Sequence, residues 1–302
     1  MKIFFTLLYI CSSLWAMAQS MTTGRLDEVS DLRTQQGFPV KAWVWTPNGY
    51  DPKVQCNVIY MFDGQMLFDA DKTWNHLEWT MDETVDHLIQ QGILGPTMVV
   101  GISFTDSLRH SQYTPQKPFE QMSAAQQQLA MATKRPSGSL YYLKPIVCSD
   151  DYLDFVVTRL KPYVDSHYAT FPDRAHTYIG GASMGGLMAM YGLLEYPQMF
   201  RAAFCMSTNW PLTDQSADPG FMAAWEKYAS RRLPVLTDHF IYMDHGGRGK
   251  DATYGEYQKQ VDAFLRQSGF NRFETRVFPD HDHSEADWAK RIQEVLIRIF
   301  LQ

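Results

Sequence analysis

The stretch that decides the fold runs from His176 to Gly186 and reads His-Thr-Tyr-Ile-Gly-Gly-Ala-Ser-Met-Gly-Gly. Its first five residues favour a short β-strand, and Leu187 to Tyr196 favours a helix that ends before a proline. A G-x-S-x-G pattern lies between them, and alone it is weak because chance gives it in about one chain in ten of this length. A strand, a sharp turn and a helix are, however, the setting that a nucleophile elbow requires. We therefore predict that Ser183 is a nucleophile at the positive end of a helix, where developing oxyanion charge is stabilised.

Outward from this stretch, strand-like runs alternate with helical patterns, which predicts a mostly parallel sheet with helices on both faces, the α/β-hydrolase fold. The predicted strands are Val40–Trp45, Asn57–Phe62, Thr97–Phe104, Thr177–Gly181, Ala202–Ser207, Phe240–Asp244 and Phe273–Phe278. The predicted helices lie near Trp79–Gln90, Asp151–Tyr168, Gly185–Tyr196, Tyr254–Gln267 and Ser284–Phe300. Residues Asp106–Lys144 fit neither pattern, so we expect a long lid or binding loop there, with one helix at Ser123–Ala132. Within this loop, the segment Arg109–Lys117 is expected to cap the site.

The N-terminal residues are typical of a secretory signal peptide. A positive start, an apolar run from Ile3 to Trp15 and the small-residue pattern Ala16-Met17-Ala18 predict cleavage after Ala18. The apolar run is shorter than the roughly 20 residues that a membrane span needs. A lipid anchor on Cys11 is disfavoured by the bulky Ile10 before it. We predict an exported chain, periplasmic or extracellular, with no membrane anchor and a single α/β domain over residues 19–302.

Charge and cysteine content exclude several classes of function. The 27 Lys and Arg residues against 33 Asp and Glu residues give a net charge of −6, or 26 − 33 = −7 once Lys2 is removed. An acidic surface without a basic stripe argues against nucleic acid as a partner. After cleavage Cys56, Cys148 and Cys205 remain, an odd number that is not a disulfide framework. Cys205 reads as a core residue, and a Cys56–Cys148 bridge is a minor possibility in an oxidising compartment.

The general base is expected after the last strand, because the order in hydrolases of this fold is serine, acid, histidine. Two histidines compete there, His281 and His283, and we prefer His283 because it stands at the start of the final helix. The alternating Asp280-His281-Asp282-His283 run could instead offer metal ligands, with His245 as a third. No other His or Cys pair has zinc spacing, so we do not expect a metal.

The acid is expected after the preceding strand, Phe240–Asp244. Asp251 lies on the glycine-rich loop beyond that strand, where its carboxylate could fix the imidazole tautomer and stabilise the imidazolium. Asp244, at the strand end, is the alternative, and Glu256 is a third and weaker one.

Two backbone N–H groups should form the oxyanion hole. One is the amide of Met184, directly after the nucleophile, and the other is the amide of Gln65, in the Asp63-Gly64-Gln65 turn that follows a predicted strand. Aromatic residues at Trp74, Trp79 and Trp210, with Asn209 as a polar contact, could line a substrate cleft, although such side chains also serve as core.

With a candidate nucleophile, base, acid and oxyanion hole, the chain resembles the putative esterase family, which includes esterase D, enterochelin esterases, and acetyl-xylan and feruloyl esterases. The matching stretches are Tyr60–Asp69, Gly180–Gly186, Ser207–Trp210, and Asp244–Gly246 with Asp251. Asp282-His283-Ser284 is similar to the esterase D histidine segment. Many relatives carry the acid three residues after the glycine matched by Gly246, where this chain has Gly249, which places the acid assignment in question.

The resemblance implies a serine esterase that needs no metal or organic cofactor and acts on a small-molecule or polysaccharide-linked ester. Acetyl or feruloyl esters of plant polysaccharide and siderophore esters are the substrates that it suggests for an exported enzyme. The alternatives are an acyltransferase or peptidase on the same scaffold, and a carbohydrate-binding module without turnover. Neither the natural ester nor the oligomeric state follows from the sequence.

Overall fold

The computed structural model describes residues 18–19, 23–213 and 218–302. The predicted signal peptide lies outside this set except for Ala18, so both it and the domain boundary at residue 19 stay predictions. Among the described residues, no helix is both long and apolar enough to span a bilayer.

A nine-stranded sheet with the order β1-β2-β3-β5-β4-β6-β7-β8-β9 forms the centre of the molecule. The strands are β1 Ala18–Gln19, β2 Arg25–Arg33, β3 Pro39–Thr46, β4 Asn57–Phe62, β5 Thr97–Ile102, β6 Thr177–Ala182, β7 Ala202–Met206, β8 Phe240–Gly246 and β9 Phe273–Phe278. From β5 to β9 every neighbouring pair is parallel, whereas β1, β2 and β3 pair antiparallel at one side. The carboxyl ends of the parallel strands therefore meet at one edge, where ligands bind in open α/β sheets.

Helices cover both faces of this sheet. They are α1 Met81–Gln90, α2 Arg109–Tyr113, α3 Gln116–Glu120, α4 Ala124–Ala132, α5 Ser149–Phe155, α6 Lys161–His167, α7 Met184–Glu195, α8 Phe221–Arg232, α9 Gly255–Gln267 and α10 Glu285–Phe300. A π-helical segment, Val156–Leu160, joins α5 to α6, so the two helices form one continuous element.

The core has two halves, one on each face of the sheet. Along β4, Val58, Tyr60 and Phe62 point to one half, and Ile59 and Met61 point to the other. Successive side chains of a strand point to opposite faces, so a strand that is covered on both sides must be apolar throughout. Helices α1 and α10 cover the second half, and α7 lies over the first.

The predicted mostly parallel sheet with helices on both faces is confirmed. All seven predicted strands are present, and β4 and β9 have the predicted bounds. Several elements were missed, namely β1, β2, α2, α3 and α8. Strand β2 carries five charged residues among its nine and is interrupted by an irregularity between Val29 and Leu32, and α8 follows a polar segment that gave no helical signal.

The long loop predicted over residues 106–144 is wrong in part. The segment contains a 3₁₀ turn at Asp106–Leu108 and the helices α2, α3 and α4. Helices α2 and α3 have five residues each, too few for the 3.6-residue periodicity to be read. Helix α4 matches its prediction, and Ser123 forms a capping box with Gln126 at its start.

The cysteine pairing considered from the sequence is not present. Cys56, Cys148 and Cys205 are all buried and free in the described part of the chain. Burial raises the pKa of the Cys56 thiol to about 11 and, with the nearby Asp151 carboxylate, that of Cys148 to about 12. Both are therefore neutral, unreactive thiols.

Candidate active site

The turn at Ser183 joins the end of β6 to the start of α7. Ser183 has φ 58° and ψ −122°, a strained conformation for a residue with a side chain. Three backbone hydrogen bonds hold the turn: Ser183 N–H donates to the Met206 carbonyl at 2.9 Å, and the Ser183 carbonyl accepts from the amides of Asn209 at 3.1 Å and Leu187 at 3.2 Å.

Glycine is required beside this turn because the strand and the helix approach closely. A Cβ on Gly181 would lie 2.8 Å from the carbonyl carbon of Gly185, which is nearer than real Cβ contacts allow. The sequence pattern thus reflects a steric requirement, and the result is a sharp turn that presents the Ser183 hydroxyl at the carboxyl edge of the sheet.

His283 stands just before α10 and is hydrogen-bonded to an acid. Its Nδ1 lies 2.7 Å from Oδ1 of Asp251. The imidazole ring packs edge-on against Trp288, with ring centroids 4.9 Å apart, and against Tyr254 at 5.5 Å. His281, the competing histidine, instead lies 3.2 Å from the carbonyl of Asp287 and packs on Phe278.

Asp251 is fully buried and accepts several hydrogen bonds. Besides His283 it accepts from the Ser207 hydroxyl at 2.5 Å and from the Gly246 amide at 2.8 Å, both at Oδ2. Burial by itself would raise the pKa of Asp251, but these hydrogen bonds and the charge of His283 lower it to about 2. The carboxylate is therefore ionised at any pH at which an esterase would work.

The two alternative acids lie elsewhere. Asp244 is fully buried at the end of β8, and its Oδ1 is 3.1 Å from Nη2 of Arg291. Burial raises the pKa of Asp244 to about 6, although the Arg291 charge opposes the rise. Glu256 is exposed and pairs with Lys259 at 2.7 Å. Of the three candidates, Asp251 is the one hydrogen-bonded to His283.

A cavity of about 600 Å³ opens at this edge of the sheet. Ser183 and His283 both line it, together with Asp63, Gln65, Met66, Trp74, Asn75, Leu77, Trp79, Phe104, Asp106, Arg109, Arg135, Lys250, Ser284, Glu285 and Trp288. The nucleophile and the base predicted from positions a hundred residues apart in the chain thus face one space.

The two predicted oxyanion donors stand at the starts of helical turns. Met184 is the first residue of α7, and Gln65 lies in the 3₁₀ turn Gly64–Met66 that follows β4. The first N–H groups of a helix have no acceptor within it and are available to a ligand. A Cβ on Gly64 would lie 2.3 Å from the carbonyl carbon of Gly101, so this turn can lie against β5 only with glycine there.

An ion pair anchors the Gln65 turn. Asp63, just before the turn, has a left-handed conformation with φ 58°. Its two carboxylate oxygens accept from Nε and Nη2 of Arg109 at 2.7 and 2.8 Å, and its N–H donates to the Tyr113 hydroxyl at 3.1 Å. A bidentate pair of this kind adds geometric specificity, so Arg109, in the segment predicted to cap the site, holds the turn that contains Gln65.

Comparison with known proteins fits this geometry. A family model described as Putative esterase matches residues 35–299. The chain belongs to this esterase family. Membership supports an enzyme that hydrolyses esters, and a comparison with curated proteins finds no match.

Solved structures similar to this esterase include a ferulic acid esterase, at 17% identity over 91% of this chain and 98% of that one, with a TM-score of 0.64. The BES protein from Bacillus cereus is 15% identical over 93% and 98% of the two chains, with a TM-score of 0.66. The enterobactin hydrolase IroE in complex with DFP is 16% identical over 94% and 98%, with a TM-score of 0.63. These likenesses confirm the α/β-hydrolase fold.

The predicted substrate contacts of the esterase divide into two groups. Trp74 is 82% exposed and Trp79 is 2% exposed, and both line the cavity. The Trp79 ring packs on Trp288 at 5.0 Å between centroids, so it belongs to the cavity wall.

The structure corrects the prediction that Trp210 and Asn209 line the substrate cleft. Trp210 is fully buried in the core, where its Nε1 donates to Gln258 at 2.9 Å and its ring packs on Trp225. Asn209 is buried beneath the turn at Ser183, and its backbone N–H donates to the Ser183 carbonyl. The segment after β7 folds under the elbow, so its side chains support the site from inside and do not line the cavity.

Sequence reasoning missed the groups behind Asp251. Ser207 directly follows β7 and has φ 42°, and the buried Arg291 lies in the middle of α10. Both side chains contact the Asp251 carboxylate. One signal could have found Arg291: it falls on the apolar stripe Trp288, Arg291, Ile292, Val295 and Ile299. A charged residue in such a stripe is buried and needs a partner of opposite charge.

No group of three or more His, Cys, Asp or Glu side chains in the described ranges has the arrangement of a metal site. His281 and His283 point to different partners, Asp287 and Asp251, and so do not converge as the alternating histidine run would require.

Proposed function

We propose that this chain is an exported serine esterase in which Ser183 is the nucleophile, His283 the general base and Asp251 the acid. The observation that carries the proposal is the 2.7 Å hydrogen bond between His283 Nδ1 and Asp251 at a cavity that Ser183 also lines. A bond at Nδ1 fixes the proton on that nitrogen and puts the acceptor lone pair on Nε2, which is the tautomer that a general base needs.

In the proposed reaction, His283 Nε2 takes the Ser183 hydroxyl proton while Oγ bonds to the ester carbonyl carbon. The amides of Met184 and Gln65 donate to the oxyanion. Collapse of the tetrahedral intermediate breaks the bond to the alcohol oxygen, and the imidazolium returns its proton to that alcohol. Water then attacks the acyl-enzyme with His283 again as base, which releases the carboxylic acid and restores Ser183.

The substrate that we infer is an ester with a bulky acyl or alcohol part, such as an acetyl or feruloyl ester on polysaccharide or a siderophore ester. A cavity of about 600 Å³ falls in the range of ligand sites. Trp74 offers an indole face at its mouth, and a large aromatic surface left exposed is a common feature of binding sites. The titles of similar structures name a ferulic acid esterase and an enterobactin hydrolase.

Labelling with a fluorophosphonate probe tests the mechanism. We expect the wild-type protein to be labelled and Ser183→Ala not to be labelled. Unlabelled wild type would contradict the serine mechanism, and labelling that survives in Ser183→Ala would assign the nucleophile to another residue. Activity on acetylated xylan, feruloylated sugar and siderophore esters then ranks the substrates. Transfer to an added alcohol or amine in preference to water would favour an acyltransferase.

Export has its own test. Expression of the full chain with its N-terminal residues, followed by N-terminal sequencing of the mature protein, is expected to give a start at Gln19. Retention of Met1 in the cell interior would contradict the predicted signal peptide.

A further inference from the structure

A buried guanidinium lies behind the proposed acid. Arg291 lies on α10 and is 1% exposed. Its Nη2 is 3.1 Å from Oδ1 of Asp244 and 3.5 Å from Oδ2 of Asp251. A buried charge is costly unless it is paired, so two carboxylates, one at the end of β8 and one on the loop after it, meeting at one nitrogen constitute a specific arrangement.

The Ser207 hydroxyl connects these groups. It accepts from Arg291 Nη2 at 2.5 Å and from Trp288 Nε1 at 2.9 Å, and it donates to Asp251 Oδ2 at 2.5 Å. Arginine and the indole N–H can only donate, and a hydroxyl has one proton and two lone pairs. The direction of every hydrogen bond at Ser207 is therefore fixed, and its single proton must point at Asp251.

The formal charges of this network do not balance when His283 is neutral. Above about pH 6, where Asp244 is ionised, Asp244 and Asp251 contribute two negative charges and Arg291 contributes one positive charge. The sum reaches zero only when the imidazole of His283 carries its second proton. That is the state produced when the proposed base takes the Ser183 proton.

Other ionisable groups lie around the network. Burial raises the pKa of Tyr242 and of Cys205, which face Asp244, and both stay neutral at working pH. In the described part of the chain, Tyr254, Lys250, Asp282 and Glu285 lie near His283, and Glu294 and Arg276 lie near Tyr242.

We propose that Arg291 and Asp244 set the charge of the network behind His283, so that Asp251 stays ionised and the protonated imidazole is the electrically neutral state. Arg291 is a positioning residue in this inference, acting on His283 through Asp251 and Ser207. The inference rests on the proposed function of Ser183, His283 and Asp251.

The acidic limb of the pH profile of kcat/KM tests this idea, because that limb reports the ionisation of the base in the free enzyme. Asp244→Asn removes a negative charge from beside the base, and we expect the limb to move to lower pH. Arg291→Gln removes the positive charge, and we expect the limb to move to higher pH. A unit charge roughly 10 Å away, at an effective dielectric constant of about 20, moves a pKa by about one unit.

The double variant Asp244→Asn with Arg291→Gln removes one charge of each sign. We expect its acidic limb to return to within about 0.3 unit of the wild-type position. At a pH on that limb, its kcat/KM should exceed that of Arg291→Gln by about tenfold, the size of one pKa unit. A purely structural role for Arg291 predicts the opposite, a lower plateau with an unmoved limb and a double variant no better than the single one.

Arg298→Gln is the matched control, since Arg298 lies on the same helix, is 44% exposed and pairs with Glu294 at 3.7 Å, away from the network. We expect no change of the limb in this variant. If Arg291→Gln does not fold, Asp244→Asn carries the test alone, and an unmoved limb in that isosteric variant overturns the inference. If Ser183→Ala or Asp251→Asn keeps full activity, the proposed function fails instead.

Discussion

Replacement of Asp251 by asparagine is the sharpest test of the site, because the structure dictates how the amide must lie. Oδ2 of Asp251 accepts from the Gly246 N–H at 2.8 Å, and a backbone amide can only donate. The asparagine oxygen must therefore occupy this position, and its NH₂ group must occupy the position of Oδ1, facing His283 Nδ1. The imidazole would then have to accept at Nδ1 and carry its proton on Nε2, the nitrogen that must be free to take the Ser183 proton.

We expect Asp251→Asn to lower kcat by about 10³- to 10⁴-fold, the loss found when a triad histidine is held in the wrong tautomer. This corresponds to about 4 to 5.5 kcal/mol of activation free energy. The assay is hydrolysis of 4-nitrophenyl acetate, with melting temperature as the measure of folding.

Glu256→Gln is the control for this variant, because Glu256 is an exposed acid close in sequence and pairs only with Lys259 in the described structure. It should retain wild-type activity. A folded Asp251→Asn protein within tenfold of wild-type kcat would refute the tautomer argument and the assignment of the acid.

Four further predictions concern the cavity, the core and the dependence of stability on pH. Trp74→Ala should raise KM for aryl or sugar esters several-fold and leave the free energy of unfolding within about 0.5 kcal/mol, because the side chain is 82% exposed; an unchanged KM would remove Trp74 from the binding site. Trp210→Ala should destabilise the protein by about 3 to 5 kcal/mol in urea unfolding, as expected for a fully buried Trp, and a smaller effect than about 1 kcal/mol would contradict its place in the core. Because the pKa of Asp244 in the folded state is raised to about 6, the folded state binds more protons at this group than the unfolded state does. The stabilisation from Asp244 is therefore complete below about pH 4 and should be lost as the pH rises through 6. The free energy of unfolding should fall by about 3 kcal/mol for this reason in wild type and not in Asp244→Asn. The pKa of Asp251 is lowered to about 2, so its contribution, present above about pH 4, should be lost as pH falls through 2.

The parts of the site that depend on local sequence could be predicted. The elbow at Ser183 is specified by residues that are adjacent in the chain, and the glycine at 181 is required by a steric contact within the same turn. Strand β4 lies between two covered faces, and its unbroken apolar run gave the observed bounds.

The choice between Asp251 and Asp244 could not be made with the same certainty. Both follow β8, and which of them reaches His283 is decided by partners from distant parts of the chain, Ser207 after β7 and Arg291 on α10. Asp251 accepts hydrogen bonds from three groups, and Asp244 pairs with the Arg291 guanidinium. This difference arises only when the tertiary structure brings the donors together.

Trp210 shows the other limit of sequence reasoning. An aromatic residue soon after a strand end can face the solvent or turn inward, and no periodic pattern distinguishes the two cases. Here the chain turns under the elbow because the Asn209 N–H bonds to the Ser183 carbonyl, and this turn directs Trp210 towards Gln258.

The backbone angles of Ser183 also have a consequence for the evolution of this protein. A non-glycine residue at φ 58° and ψ −122° costs about 1 to 3 kcal/mol, which the rest of the fold must offset. Glycine tolerates such angles, so Ser183→Gly should melt at a higher temperature than wild type while losing its activity. Selection for thermal robustness alone would therefore favour loss of the proposed nucleophile, because the strained angles of Ser183 cost stability that only a catalytic role would repay.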